Sequence, residues 1–116
     1  MKSKFLLALA FVLATGNAAL AAATGDQIRA AISDSTVQGN MTAGGPYAEY
    51  YAPDGTIRGK DYTGQWSVEG DAMCFAYEGT PKTCWNVELS GDQVRWIKNG
   101  ASQGTGTILK GNANGF

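Results

Sequence analysis

Residues 71–92, DAMCFAYEGTPKTCWNVELSGD, contain both cysteines of the chain and two runs rich in aromatic residues, separated by a turn-like cluster. When this stretch is folded into a hairpin with its turn at residues 78–80, Cys74 lies opposite Cys84. Directly opposed residues of an antiparallel pair bring their Cβ atoms close enough for a disulfide. We therefore predict a β-hairpin that is closed by a Cys74–Cys84 disulfide.

The hairpin register also separates the two faces of the strands, because side chains alternate along each strand. One face carries the larger and more apolar side chains, which are Met73, Phe75, Tyr77, Trp85 and Val87. We expect that face to point into the core, and the disulfide to lie on the outer face as a structural link. The alternative is a redox-active pair, but a separation of ten residues is not the CxxC spacing of such pairs.

The rest of the chain repeats this strand-and-turn pattern. Turn clusters recur every eight to twelve residues, and the runs between them are rich in β-branched and aromatic residues. The pattern predicts an all-β antiparallel meander of seven or eight strands, closed or nearly closed into a barrel. Asn99-Gly100 suits a type I′ turn, because both positions of that turn need a positive φ. The predicted strands cover about residues 35–41, 46–52, 56–60, 62–68, 72–78, 82–88, 93–98 and 103–109.

One short helix is predicted before the strands. In Thr24–Ser33, TGDQIRAAIS, the threonine can cap the helix, and Ile28, Ala31 and Ile32 fall on one face at helical spacing. A helix of barely three turns is not stable alone. We therefore expect it to plug or flank the barrel.

The N-terminal stretch has the pattern of a secretory signal peptide. Lys2 and Lys4 precede an uninterrupted apolar run, and Ala19-Leu20-Ala21 supplies the small-x-small cleavage pattern. We predict a signal peptide at residues 1–21, with cleavage after Ala21 or Ala23, and a single domain at 22–116. The expected location is the periplasm or the medium, without a membrane anchor, where paired cysteines are common. A buried N-terminal helix is the alternative.

Charge and composition exclude several classes of function. Without residues 1–21 the chain has seven basic and ten acidic residues, and the basic ones are scattered, which argues against nucleic-acid binding. The absence of histidine removes Ser-His-Asp and Cys-His sites and histidine zinc sites. The acidic residues lie mostly in predicted turns, where Asp is common for local reasons. We expect no enzyme, cofactor or metal; the alternative is an enzyme that relies on carboxylates alone.

The aromatic residues are the remaining candidates for a site. The three tryptophans occupy similar places in GQWSV, TCWNV and VRWIK. They could simply fill the core, or they could line an apolar pocket, because eight strands enclose room for side chains or for one small ligand. The predicted ligand-binding residues are Trp66, Phe75, Tyr77, Trp85 and Trp96. In PYAEYY, Tyr47, Tyr50 and Tyr51 cannot all face one way, so at least one should lie near the surface.

Part of the sequence resembles a known group of proteins. GQWSVEGDAMCFAY at 64–77 and CWNV at 84–87 are similar to motifs of small secreted alphaproteobacterial proteins. Those belong to domain-of-unknown-function families with lipocalin-like character. Gly64 and Trp66 match the lipocalin G-x-W, here in the fourth predicted strand instead of the first. The resemblance implies a lipocalin-like barrel and no assigned activity.

Two functions follow as expectations. The first is a periplasmic or secreted, non-enzymatic binding protein for a small, apolar ligand. The alternative is an envelope protein-binding module, such as a protease or lysozyme inhibitor, that acts through residues 42–46, 53–55 and 99–104 and through Tyr47 or Tyr50. A hollow interior would favour the first function, and a filled interior the second.

Overall fold

The computed structural model of the chain describes residues 21–116. The predicted signal peptide, apart from Ala21, lies outside the described residues. One helix and eight strands follow each other along the chain. They are α1 (Gly25–Ile32), β1 (Ser35–Met41), β2 (Gly45–Tyr51), β3 (Thr56–Gly59), β4 (Tyr62–Glu69), β5 (Ala72–Tyr77), β6 (Thr83–Ser90), β7 (Gln93–Lys98) and β8 (Ala101–Lys110).

The eight strands form a closed antiparallel barrel with meander topology. Each strand pairs with the next one, and β8 pairs with β1, which confirms the predicted fold class. Two strands begin earlier than predicted, β2 at Gly45 and β8 at Ala101. Gly45, Ala101 and Ser102, which lie outside the predicted strands, therefore belong to the sheet.

The meander gives the barrel two ends of different character. The turns at 42–44, 60–61, 78–82 and 99–100 lie at one end, here called the open end. The turns at 52–55, 70–71 and 91–92 lie at the other, the closed end, where α1 enters β1. At the open end Asn99 and Gly100 have φ of 52° and 77°, as the predicted type I′ turn requires.

Helix α1 covers the closed end. Thr24 and Gln27 form a reciprocal capping box, which starts the helix at the predicted position. Ile28 and Ile32 are fully buried in the barrel core. The amide of Gly25 donates to Asp71 Oδ1 at 2.8 Å, in the β4–β5 turn. A Cβ at Gly25 would collide with the carbonyl oxygen of Gly70, so the close docking of the helix requires glycine here.

The β5–β6 hairpin has the predicted register, with Cys74 opposite Cys84 and joined to it by a disulfide. The two faces also divide as expected. Met73, Phe75 and Val87 are buried in the core cluster, whereas the cysteines belong to the outward-facing set. Cys74 is nevertheless covered by its neighbours and only Cys84 is exposed.

The aliphatic part of the core fills the barrel near the closed end. Small and branched side chains from the helix and from five strands meet there and are almost inaccessible to solvent. These residues are Ile28, Ile32, Val37, Ile57, Met73, Val87 and Val94. This half of the interior is packed, and the remaining space lies toward the open end.

Replacing both cysteines by alanine should lower the free energy of unfolding by about 2–3 kcal/mol, because the disulfide closes a short loop in the unfolded chain. Urea unfolding followed by tryptophan fluorescence measures the change. Ser67→Ala, on the outer face of the neighbouring strand β4, is the control and should change stability by less than about 0.5 kcal/mol. A loss no greater than that of the control would show that the disulfide does not stabilise the fold.

Candidate functional site

A cavity of about 180 Å³ occupies the interior at the open end of the barrel. Its wall is mostly aromatic and includes one carboxylate. The lining residues are Met41, Tyr47, Glu49, Tyr51, Phe75, Tyr77, Thr83, Trp85 and Trp96. Thr83 is exposed and Trp85 half-buried, so the cavity is reached from solvent on this side. We call it the open-end pocket.

Four of the five predicted ligand-binding residues line this pocket: Phe75, Tyr77, Trp85 and Trp96. Trp66 does not. Its Nε1 donates to the carbonyl oxygen of Ala52 at 2.9 Å, in the β2–β3 turn, so the indole is held toward the closed end. Its ring packs edge-on against Tyr51, with a centroid separation of 6.0 Å. Period-two alternation correctly placed Trp66 inside the barrel, but alternation carries no information about depth along the barrel axis.

Strand β2 supplies a part of the pocket that was not predicted. Tyr47, Glu49 and Tyr51 are two residues apart and all line the cavity. Tyr47 is therefore an interior residue and not a candidate for a protein-binding surface. Tyr50 faces outward, which agrees with the expectation that at least one tyrosine of PYAEYY lies near the surface. Its hydroxyl donates to Asp34 Oδ1 at 2.6 Å.

The carboxylate of Glu49 accepts hydrogen bonds from three tyrosine hydroxyls. Tyr51 donates to Oε1 at 2.7 Å, and Tyr62 donates to Oε2 at 2.7 Å. The hydroxyl of Tyr77 lies between the two oxygens, at 3.0 Å and 2.9 Å. These four residues, the Glu49 cluster, connect β2, β4 and β5 across the barrel interior.

Glu49 is 7% exposed, yet the described residues give it no ion-pair partner. The ion pairs of residues 21–116 join Arg29 to Asp26, Lys82 to Glu69 and Arg95 to Glu88, in exposed or half-exposed positions. Burying a charge is costly unless it is hydrogen-bonded or paired. Here the three phenol groups supply the hydrogen bonds, and no Lys or Arg of residues 21–116 forms an ion pair with the carboxylate.

Glycines make room for two tyrosine rings of the Glu49 cluster. Gly64 lies opposite Tyr77 in the β4–β5 register, and a Cβ at Gly64 would be 2.7 Å from Cδ1 of that ring. A Cβ at Gly59 would collide with Tyr62, its cross-strand partner. Each of these rings therefore lies over the glycine that faces it on the neighbouring strand, where no side chain occupies the space. The orientation of both hydroxyls toward Glu49 depends on these glycines.

A second hydrogen-bonded pair orients the opposite wall of the pocket. Trp96 Nε1 donates to the hydroxyl of Tyr47 at 2.7 Å, and that hydroxyl donates to the carbonyl oxygen of Thr105 at 3.0 Å. Trp96 also packs edge-on against Phe75, with centroids 5.6 Å apart. These contacts fix the orientation of both rings in the pocket wall.

The buried site raises the pKa of its phenols. For Tyr51, burial is the main cause and the negative charge of Glu49 adds to it, which places the pKa well above 10.0. For Tyr77 and Tyr62 burial again comes first, followed by the charge of Glu49 and the hydrogen bond to it, and both pKa values rise. All three phenols therefore keep the proton that they donate to Glu49 at neutral pH.

One group of potential metal ligands occurs within residues 21–116: Glu69, Cys74 and Cys84, whose ligand atoms lie within 4.8 Å of one another. Both sulfurs belong to the disulfide and have no thiolate to offer. This group therefore does not form a metal site in the oxidised protein.

The most informative residue that the sequence interpretation missed is Glu49, together with Tyr47 and Tyr51. The signal was present in PYAEYY, where Tyr-x-Glu-x-Tyr places a carboxylate between two aromatic residues on one face of a strand. Most of the other acidic residues lie in predicted turns, whereas Glu49 lies inside a predicted strand, between two tyrosines of the same face.

Comparison of the chain with protein families, with curated proteins and with solved structures finds no match. The site must therefore be interpreted from its own geometry.

The interior phenols should make the fold sensitive to alkali. Tyrosines of the unfolded chain ionise near pH 10.0, whereas those of the Glu49 cluster ionise only at higher pH. Their contribution to stability is complete below pH 10 and is lost as the pH rises beyond it, toward the raised pKa values. Tyr51 alone should account for a loss of about 1 kcal/mol between pH 10 and 11, since the unfolded tyrosine is already half ionised at pH 10.

Urea unfolding at pH 8, 10 and 11 measures this loss, and absorbance at 295 nm counts the phenolates in the folded and unfolded states. Unfolding at pH 11 should increase the phenolate absorbance. Ionisation of all five tyrosines near pH 10, with the fold intact, would contradict the buried Glu49 cluster.

Proposed function

We propose that this protein is a non-enzymatic binding protein that holds one small, largely apolar ligand in the open-end pocket. The observation that supports this proposal is a solvent-reachable cavity of about 180 Å³ with an aromatic wall, in a barrel whose other half is packed. Apolar concave sites with a few placed polar groups are typical of small-molecule binding.

The size of the cavity limits the ligand. An apolar cavity of about 150 Å³ in another protein holds one benzene molecule. Drug-sized ligands use pockets of about 300–1,000 Å³. The open-end pocket, at about 180 Å³, therefore suits a compact ligand with a single ring or a branched alkyl group.

The proposed location is the periplasm or the medium. The Cys74–Cys84 disulfide is compatible with an oxidising compartment, and no free cysteine remains among residues 21–116. The signal-peptide pattern of the sequence agrees with this location. Residues 21–116 contain no helix of the length and hydropathy needed to cross a membrane.

The two alternative functions have less support. Glu49 is the one carboxylate of the pocket wall, so the pocket lacks the pair of carboxylates that a glycosidase-type mechanism uses. A protein-binding module would be expected to expose apolar area. Tyr62 is the exposed large hydrophobic residue of the described part of the chain, at 43%, and its hydroxyl is engaged with Glu49.

The three indole groups allow a direct test with the intact protein. In ¹H–¹⁵N spectra, titration with benzene or benzyl alcohol should shift the Nε1–H signals of Trp85 and Trp96, which line the pocket. The signal of Trp66 serves as an internal control, because its Nε1–H is bonded to Ala52 outside the pocket. The expected shifts are saturable, with dissociation constants in the micromolar to millimolar range, because so small a ligand offers few contacts.

Trp85→Leu should weaken binding about tenfold or more and keep the fold, because Trp85 is half-buried at the rim of the pocket. Tyr50→Leu, on the outer face of β2, is the matched control and should bind as the wild type does. Absence of saturable shifts at both pocket indoles with either probe would overturn the proposed function.

A further inference from the structure

We infer that the open-end pocket prefers a small organic cation, of the alkylammonium or benzylammonium class, with Glu49 as its counter-charge. The inference rests on the proposed function, since it names the ligand class of the same pocket. Two independent observations support it: a buried carboxylate without an ion-pair partner among residues 21–116, and an aromatic wall suited to positive charge.

The first observation is the electrostatic state of Glu49. Three phenol groups satisfy its hydrogen bonds, but hydroxyl dipoles leave the net charge unchanged. No Lys or Arg of residues 21–116 forms an ion pair with it. A buried carboxylate that has no ion-pair partner among residues 21–116 attracts a ligand of the opposite charge more strongly than it attracts a neutral one of the same shape.

The second observation is the arrangement of rings around that carboxylate. The cavity wall includes the rings of Tyr47, Phe75, Trp85 and Trp96. Cations bind over aromatic faces within about 6 Å of the centroid, and cages of such rings recognise ammonium groups. The Trp85 ring at the rim already has a protein cation, since Lys98 Nζ lies 5.4 Å from its centroid. The rings of Tyr47, Phe75 and Trp96 are therefore the ones that a ligand cation would use.

The cavity volume and its apolar wall define the rest of the ligand. A volume of about 180 Å³ holds an ammonium group together with one ring or a few alkyl groups. Met41 adds a polarizable apolar surface to the wall. A strongly hydrated, purely polar cation would lose its water without gaining equivalent contacts, so we expect the cation to carry apolar substituents.

Pairs of ligands with the same shape and different charge test the inference. Benzylamine is compared with benzyl alcohol, and choline with 3,3-dimethylbutan-1-ol, near neutral pH with the indole signals of Trp85 and Trp96 as the readout. The cation of at least one pair should bind about tenfold more tightly than its neutral counterpart. In Glu49→Gln, which keeps the side-chain volume and an acceptor for the tyrosines, this preference should fall to about twofold or less.

Glu69→Gln is the matched control, because it removes one negative charge from the outer surface, where Glu69 pairs with Lys82. The preference for the cation should persist in this variant. If it is lost there as strongly as in Glu49→Gln, the effect belongs to the net charge of the protein, and the assignment to Glu49 is wrong.

The remaining outcomes separate the inference from the proposed function. Equal binding of charged and neutral partners by the wild type would overturn the inference and leave the binding function in place. Absence of binding by all four ligands would overturn both. The comparison within the wild type needs no substitution, so the inference stays testable if Glu49→Gln does not fold.

Discussion

The pairing of β1 with β8 is the constraint on which the rest of the structure depends, because it converts a meander into a closed barrel. Seven residue pairs join the first and last strands. Gly39 lies opposite Gly106 in this register, and a Cβ at Gly39 would collide with the backbone of β8. The strands can approach this closely, and the sheet can curve enough to close, only because these positions have no side chain. Closure removes the exposed edges that would otherwise pair with other chains.

Closure also encloses an interior that is packed near one end of the barrel and contains a cavity near the other. Aliphatic side chains and α1 fill the closed end, and the burial of these side chains stabilises the fold. At the open end, large rings meet one another edge-on and leave a cavity between them. Well-packed cores rarely keep voids larger than a water molecule. A rigid, stabilised half can support a second half in which space is left for a ligand, and this division agrees with the proposed binding function.

The sequence predicted the sheet well because the relevant signals are local. Turn residues at regular spacing and the Cys74–Cys84 register determined the strands and the inward face of β5 and β6. Alternation also placed the tryptophans inside the barrel. It could not give the depth of Trp66 along the axis, because depth depends on how the tilted strands are staggered around the barrel. The Glu49 cluster was missed for a related reason: its members come from three strands, β2, β4 and β5, and meet only in the curved sheet.

A buried carboxylate is expensive for a small domain, and hydrophobic residues of the same volume are often equally or more stabilising in such positions. Glu49 holds its three strands together through its tyrosines, and both of its oxygens accept hydrogen bonds from them. A neutral glutamine has one acceptor oxygen and an amide group that only donates, so it could not accept from all three phenols in this arrangement. The carboxylate therefore adds a second acceptor, which the fold uses, and a negative charge in the wall of a cavity that solvent can reach. The hydrogen bonds need the second acceptor, and the net charge is what the proposed cationic ligand would use.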